Sequence, residues 1–259
     1  MSFEWLLQKA FIRCWVVYEP MLRTLKWRIH GLIWVLSNPA QLKHIIVRET
    51  RYRNRYTDKR AWTAWQEFDT HDAVGQHSTV TAYVRPLNLE RIRIFSEMIM
   101  GVGSGLRVLD VGCGDGVISE PIAKLGNEVA SVDLPTITMM CHKRKVSMVS
   151  SGDAEHLAFA DGSFDVVLAS EVVEHLWNPH GFFDEAYRIL KPDGWLIIET
   201  PEGRDSLRYD AHKNWFDEEV VRQMVGKSFI IKQVERLKPE LGAPTSTIIL
   251  LMHKNNGKV

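Results

Sequence analysis

The sequence predicts an α/β fold, in which a doubly wound, seven-stranded, mostly parallel sheet follows an α-helical N-terminal extension. One observation is a hydrophobic strand that enters a glycine-rich turn, between Val108 and Gly116. Another is the alternation of strand and helix patterns from Arg107 onward, which a doubly wound sheet requires. The start of the chain is basic and aromatic instead. We therefore predict a helical extension and active-site cap at residues 1–85 and a ligand-binding domain at residues 86–259.

The charge distribution separates these two parts. Residues 1–60 contain 12 Lys and Arg against 4 Asp and Glu, whereas the remaining 199 residues contain 20 against 28. An acidic domain makes nucleic acid a poor candidate substrate, because phosphate binding needs a basic groove. The three cysteines fit neither a metal-ligand spacing nor a disulfide framework, which indicates a cytoplasmic protein. We find no Asp, Glu and His cluster at metal-ligand spacing and predict no required metal.

Three glycines, Gly112, Gly114 and Gly116, form the turn after the first strand. Glycine permits a tight turn and lets a ligand approach the bare backbone. The helical stretch that follows would point its free N–H groups at such a ligand. A dinucleotide fingerprint needs a further glycine where this chain has Val117, so a nicotinamide cofactor is disfavoured. The carboxylate of Asp110 is unsuited to a pyrophosphate and well suited to an ammonium group.

The elements around this turn follow from hydrophobic patterning. A helix is predicted over Leu87–Met100, and another over Pro179–Leu190 that ends in a turn at Lys191–Gly194. The later strands are predicted at Glu128–Val132, Val146–Val149, Ser163–Ser170, Trp195–Thr200, Phe229–Val234 and Thr245–Met252. We expect the last two strands to form an antiparallel pair. Asp133, which closes the second strand, can accept hydrogen bonds from both hydroxyls of a ribose.

The pattern D-x-G-x-G-x-G from Asp110 to Gly116 resembles the first motif of class I S-adenosylmethionine (SAM)-dependent methyltransferases. The later motifs occur in the order and spacing of that family, at Val132–Asp133, Gly152–Glu155, Ser163–Leu176 and Leu190–Pro201. The resemblance covers roughly residues 105–252. It is closest to the group that includes ubiquinone- and menaquinone-pathway enzymes and many sugar and natural-product O-methyltransferases. It implies SAM as the methyl donor and a Rossmann-like methyltransferase fold with a reversed last strand.

The resemblance also implies a set of cofactor-binding residues. These are Asp110, Gly112, Cys113, Gly114, Gly116, Asp133, Leu134, Asp153, Ala154, Ser170 and Glu171. By position, Asp110 and the glycine turn would hold the methionine moiety, and Asp133 would bind the ribose. Asp153 and the N–H of the following residue would read the adenine. Ser170 and Glu171 would line the methionine side.

Histidines are the candidate catalytic residues. Methyl transfer from a sulfonium is an in-line displacement, so positioning supplies much of the rate, while a hydroxyl acceptor needs help to lose its proton. His175 follows the fourth strand, and His212 follows the fifth, where substrate-facing loops gather on such sheets. His180 is a further candidate. The alternative for His175 is a role in packing or polar organisation. The alternative to an enzyme is a SAM-binding, non-catalytic or regulatory protein that acts through its basic N-terminus.

The N-terminal segment has the character of an interfacial helix pair. Residues 3–18 place a continuous apolar arc on one helical face, and four of the nine tryptophans lie within the first 34 residues. Apolar faces flanked by Trp and basic residues suit a membrane surface. One hypothesis is that residues 1–47 contact the inner face of a membrane peripherally and deliver a small or lipid-linked acceptor. The other is that these helices cover the catalytic domain or a partner.

Overall fold

The computed structural model describes one part of the chain in detail. The described residues are 59–60, 62–63, 86–135, 137–138, 148–208, 212–238 and 245–257. The chain divides into two compact units, Met1–Trp65 and Gln66–Val259, and the architecture below belongs to the second. The predicted helices of residues 1–47 lie outside the described residues, and the predicted boundary after residue 85 stays a prediction. Among the described residues, no helix is both long and apolar enough to cross a membrane.

The second unit alternates strands and helices. Its helices are α1 (Pro86–Val102), α2 (Ser119–Lys124), α3 (Pro179–Ile189) and α4 (Glu218–Val225). Its strands are β1 (Arg107–Val111), β2 (Glu128–Asp133), β3 (Met148–Ser151), β4 (Phe164–Ser170), β5 (Leu190–Pro201), β6 (Phe229–Leu237) and β7 (Thr247–Lys254). Short 3-10 turns at Val173–His175 and Arg204–Arg208 follow β4 and β5.

The seven strands form one sheet in the order β3-β2-β1-β4-β5-β7-β6. The first five strands pair in parallel, and β7 pairs antiparallel with both β5 and β6. This arrangement confirms the predicted doubly wound fold, including the antiparallel last pair. Because the strands β1 to β5 run in one direction, their carboxyl ends meet at one edge of the sheet, where such folds bind ligands.

Alternating side chains of the central strands fill two separate cores. Leu109, Val167 and Ile198 pack on one face with the apolar side of α3 and with α4. On the other face, Val108 and Val166 pack with α1 and α2. Because β1 is covered on both faces, its hydrophobic residues Val108, Leu109 and Val111 are all buried. Both faces of the sheet are therefore covered along the strands that lead to its carboxyl edge.

Several element boundaries differ from the prediction, among them those of β3, β5 and α1. Strand β3 runs to Ser151, beyond the predicted end at Val149, because it pairs with β2 as far as Asp133, although its own side chains are mostly exposed. Strand β5 begins at Leu190, because Leu190 already pairs with Phe164 of β4. The predicted turn Lys191–Gly194 therefore lies within β5, where the pairing register shifts. Helix α1 runs through the glycine at position 101, and the N–H of the next glycine donates to Ile99 O at 3.1 Å.

Candidate active site

The glycine turn lies at the carboxyl end of β1. Gly112 donates its N–H to Val132 O at 2.8 Å and has a φ of 70°. A Cβ at Gly112 would lie 2.3 Å from Val172 Cγ2, so the position accepts glycine alone. Gly114 also has a positive φ, but a Cβ there would meet no atom within 4 Å. The backbone around Gly114 is therefore open to a ligand, while Cys113 beside it is buried.

Asp133 is held against this turn by two backbone bonds. Its Oδ2 accepts from Gly114 N at 2.8 Å, and its Oδ1 accepts from Leu134 N at 2.7 Å. Burial raises the pKa of Asp133, and these two hydrogen bonds and the charge of His175 oppose that rise. Each carboxylate oxygen has a second lone pair, so the group can accept further hydrogen bonds from two hydroxyls. The ribose-binding role of Asp133 stays a prediction.

Asp110 is directed into the protein. It is 2% exposed and accepts a hydrogen bond from Ser119 Oγ, which lies 2.9 Å from Ser131 Oγ. Burial, together with the charge of Asp133, raises the pKa of Asp110 to about 7, although the bond from Ser119 opposes the rise. The carboxyl therefore ties α2 to β1 and β2. Its predicted contact with an ammonium group stays a prediction.

The loop after β3 is anchored to the same edge. Gly152 N donates to Asp133 O at 2.9 Å, and Asp153 Oδ1 accepts from Glu155 N at 2.9 Å. The buried Glu155 accepts from the backbone N–H of Trp177 at 2.8 Å, so the loops after β3 and β4 are joined. Ala154 is half-buried and packs on the core. Asp153 and Ala154 thus lie beside the ribose-binding candidate, and their predicted contact with adenine stays a prediction.

The carboxyl ends of β4 and β5 carry an ion-pair cluster that includes both residues predicted there. Ser170 donates its hydroxyl to Glu199 Oε2, and Arg91 Nε donates to Glu199 Oε1. The Nη2 of Arg91 donates to Glu171 Oε1 at 2.7 Å. Among the described residues, Glu171 is the one non-glycine residue with positive φ, at 57°. Sequence reasoning missed Arg91 and Glu199, although a glutamate within an otherwise apolar strand was a usable signal.

The turn that follows contains a second cluster. Glu174 is 1% exposed, its Oε2 accepts from Thr200 Oγ1 at 3.0 Å, and its Oε1 has no hydrogen-bond partner among the described residues. That Oε1 lies 3.7 Å from His175 Nε2. The rings of His175 and His212 are in edge contact, with centroids 5.0 Å apart. The structure therefore brings together the two histidines that the sequence singled out, and adds Glu174 to them.

The electrostatics of this cluster are unusual. Burial raises the pKa of Glu174 to about 8. Burial, and then the charge of His175, lower the pKa of His212 to about 3, so its ring is neutral near pH 7. One ligand atom from each of Glu174, His175 and His212 lies within 4.8 Å of the others, a spacing that can hold a metal ion. The sequence did not show this group, because His212 is distant along the chain, and the prediction of no required metal stays a prediction.

Hydrogen bonds of the loop after β5 place His212. Lys213 N and Asn214 N donate to Glu174 O at 2.8 and 3.0 Å, and Asn214 Nδ2 donates to Leu176 O at 2.7 Å. These bonds fasten the loop onto the turn after β4. His180, by contrast, is exposed in the first turn of α3, outside these contacts.

Comparisons with known proteins agree with this geometry. Residues 109–198 match the family model described as a methyltransferase domain. Over 103 residues the chain is 41% identical to the ubiquinone biosynthesis O-methyltransferase of Maricaulis maris, a match that covers 37% of this chain and 41% of that relative. The chain contains a class I SAM-dependent methyltransferase domain. The match spans about two fifths of the length of such curated relatives.

Solved structures share the fold of this methyltransferase domain. A SAM-dependent methyltransferase from Aquifex aeolicus superposes with a TM-score of 0.51 at 17% identity, over 62% of this chain and 88% of that one. The cyclase SpnF superposes with a TM-score of 0.54 at 19% identity, over 64% of this chain and 81% of that one. At such identities the likeness concerns the fold alone.

The residues of the methyltransferase domain fit its cofactor, SAM. The open backbone at Gly114 leaves room for a ligand beside the turn. Asp133 retains lone pairs for hydroxyl groups. The edge beyond it carries the carboxyl groups of Glu171 and Glu199, both of which are bonded to Arg91.

Proposed function

We propose that the methyltransferase domain transfers the methyl group of SAM to a hydroxyl oxygen of a small or lipid-linked acceptor. The observation that carries this proposal is the contact between His175 and His212 at the edge that also holds Asp133 and Glu171. The name of the Maricaulis maris relative, an O-methyltransferase, supports oxygen as the methylated atom. Within the described unit the charge is mildly acidic, which agrees with an acceptor other than nucleic acid.

The roles of individual residues follow from their positions. SAM, when bound, supplies an electrophilic methyl group on its sulfonium sulfur. Asp133 would hold the ribose hydroxyls, and Asp153 would accept from the adenine amine. His175 would take the proton of the acceptor hydroxyl, and the carboxyl of Glu174, 3.7 Å away, would orient its ring. His212, neutral near pH 7, would position the acceptor or the ring of His175.

A second candidate is a SAM-binding, non-catalytic or regulatory protein that acts through its basic N-terminus. The observation that favours it is the fold shared with the cyclase SpnF, because one fold hosts unrelated activities. The geometry at His175 and His212 favours the enzyme over this alternative, since a regulatory SAM site has no need of a base beside the cofactor.

The cellular setting is part of the same proposal. We place the protein in the cytoplasm, with peripheral contact to the inner face of the membrane through residues 1–47. The excess of basic residues at the start of the chain supports this placement. The lipid-linked acceptor and the helical extension over residues 1–85 belong to this proposal as well.

Turnover of SAM with hydroxylated lipid and phenol extracts tests the function, with S-adenosylhomocysteine as the product measured. His175→Gln should lower kcat by roughly 10²–10⁴-fold while it leaves SAM affinity intact. Asp133→Ala should instead weaken SAM binding, by about 1.5–3 kcal/mol in calorimetry. His253→Gln, in β7, is the matched control and should retain turnover. Tight SAM binding without product from any extract would favour the regulatory alternative.

A further inference from the structure

The turn after β4, which carries His175, has few hydrogen bonds of its own. It is a 3-10 turn of three residues, Val173–His175, in which His175 N donates to Val172 O at 2.9 Å. The following bond, from Leu176 N to Val173 O, is longer, at 3.4 Å. Carbonyl groups at the end of so short a turn have no partner within it and need one from elsewhere. The conformation of this turn therefore depends on contacts from other parts of the chain.

Asn214, in the loop after β5, supplies such contacts. Its Nδ2 donates to Leu176 O at 2.7 Å and lies 3.4 and 3.5 Å from the carbonyl oxygens of Val173 and Glu174. Its backbone N–H donates to Glu174 O at 3.0 Å, and Lys213 N donates to the same oxygen at 2.8 Å. One half-buried amide side chain thus reaches three carbonyl groups of the turn.

The same contacts determine how the two histidines meet. His175 belongs to the turn, and His212 lies two residues before Asn214 in the loop. Their ring centroids are 5.0 Å apart. Lys213 adds a contact between loop and turn, since its Nζ lies 4.1 Å from the ring centroid of Trp177. An amide that ties the turn to the loop therefore helps to fix the distance between the two histidine rings.

The chemistry of the amide group suits this position. An amide has two N–H donors and no charge, so it can bond to carbonyl oxygens without burying an ion. An aspartate has nearly the same shape, but its carboxylate only accepts hydrogen bonds and would repel the carbonyl oxygens. An exchange of Asn for Asp therefore removes the hydrogen bonds while it keeps the volume of the side chain.

We propose that Asn214 is a positioning residue for methyl transfer, which holds residues 173–176 against the loop after β5 so that His175 faces the acceptor beside His212. This inference rests on the proposed function, in which His175 takes the proton of the acceptor hydroxyl. Asn214 contacts neither SAM nor the acceptor in this scheme. It acts through the backbone of the turn.

Hydrogen exchange of the full chain tests the contact itself. In Asn214→Asp, the amides of residues 173–178 and 213–216 should exchange roughly tenfold faster or more, because the bonds that join these segments are lost. The matched control is Asn127→Asp, between α2 and β2, where Asn127 Nδ2 also donates to a backbone carbonyl, Ile122 O at 3.2 Å. That variant should leave exchange in both segments as in wild type.

Turnover separates positioning from a general loss of structure. With SAM and a hydroxylated phenol extract, Asn214→Asp should lower the maximal rate of S-adenosylhomocysteine formation by roughly 10–100-fold, since a displaced base loses its geometry toward the acceptor. Its SAM affinity in calorimetry should remain that of wild type. Asn214→Gln keeps the donors on a longer stem and should recover part of the rate. Asn127→Asp should retain the full rate, even if it lowers the Tm.

Two results would overturn the inference. One is wild-type exchange in both segments of Asn214→Asp, and the other is faster exchange with an unchanged maximal rate. If Asn214→Asp does not fold, the same two results in Asn214→Ala, which removes the donors without adding a charge, would overturn it. A wild-type protein that binds SAM but forms no product would contradict the proposed function, while hydrogen exchange would still decide whether Asn214 holds the turn.

Discussion

At the scale of single residues, buried carboxyl groups dominate the chemistry of the cofactor edge. Asp110 and Glu174 are 2% and 1% exposed, and their pKa values are raised to about 7 and about 8. A carboxyl that is easier to ionise in water than in the folded protein opposes folding once the pH exceeds its unfolded pKa. These groups therefore cost stability, and their retention at the edge agrees with a functional role.

Replacing Glu174 with Gln should reduce the pH dependence of stability. The folded protein keeps the Glu174 proton up to about pH 8, whereas the unfolded chain loses it near 4.5. The free energy of unfolding therefore falls as pH rises through that interval. Glu174→Gln should remove on the order of 1–3 kcal/mol of this fall between pH 5 and 8, measured by urea denaturation.

The control for this measurement is Glu97→Gln, an exposed carboxylate on α1. It should leave the slope of stability against pH as in wild type. If Glu174→Gln shows the wild-type slope, the Glu174 carboxyl is ionised in the folded protein at neutral pH. In that case, the orienting role we give it toward His175 would rest on an ion pair.

At the scale of elements, the glycine turn after β1 shows what a local sequence pattern predicts and what it leaves out. The spacing of Gly112, Gly114 and Gly116 predicted a turn with an open backbone, and all three have positive φ. The reason that Gly112 is required was not visible in the sequence. It is the side chain of Val172, which comes from the loop after β4.

Two glycine substitutions separate backbone strain from this contact. Gly105→Ala, at an exposed position with φ of 63° and open space, should cost only the left-handed strain, roughly 1–2 kcal/mol. Gly112→Ala carries the same strain and a clash with Val172, so it should cost a further 1–3 kcal/mol or so in chemical denaturation. Gly112→Ala should also weaken SAM binding. Equal losses of stability in the two variants would show that the side chain of Val172 moves away from the added methyl group without a measurable cost.

At the scale of the whole molecule, the division of charge is the main feature. The basic start of the chain and the mildly acidic remainder balance to a formal net charge of zero. A basic segment next to an acidic domain favours binding of the segment, rather than the domain, to an anionic surface. Trp5, Trp15, Trp27 and Trp34 would lie at the level of the head groups.

Flotation with lipid vesicles tests this hypothesis on the full chain. The protein should float with anionic vesicles at low salt and be released at high salt, because each Lys or Arg near the surface contributes about 1 kcal/mol that salt screens. Neutral vesicles should bind less. The triple variant Arg23→Gln, Lys26→Gln and Arg28→Gln should float poorly.

The matched control removes three exposed basic side chains from the second unit, with the substitutions Arg93→Gln, Lys124→Gln and Arg222→Gln. This variant should float as wild type does, since the change in net charge is the same but the segment is intact. A wild-type protein that stays at the bottom of the gradient under all conditions would instead favour a cap or a partner interface for residues 1–47.

The sequence by itself determined the fold class and the glycine turn, because hydrophobic strand patterns, helix periodicity and turn glycines can each be recognised within a short stretch of chain. It also located His175 and His212 as candidates, and Asp133 at the end of β2. Only the tertiary structure decided that the two histidines touch.

Only the tertiary structure, likewise, decided that Asp110 faces inward and that Arg91 bridges two glutamates. The boundaries of β3 and β5 were also decided there, by pairing with neighbouring strands. The physical reason is common to these cases. Burial, charge compensation and strand pairing depend on residues far apart in the chain, such as Arg91 and Glu199, 108 positions apart, which meet only when the sheet has formed.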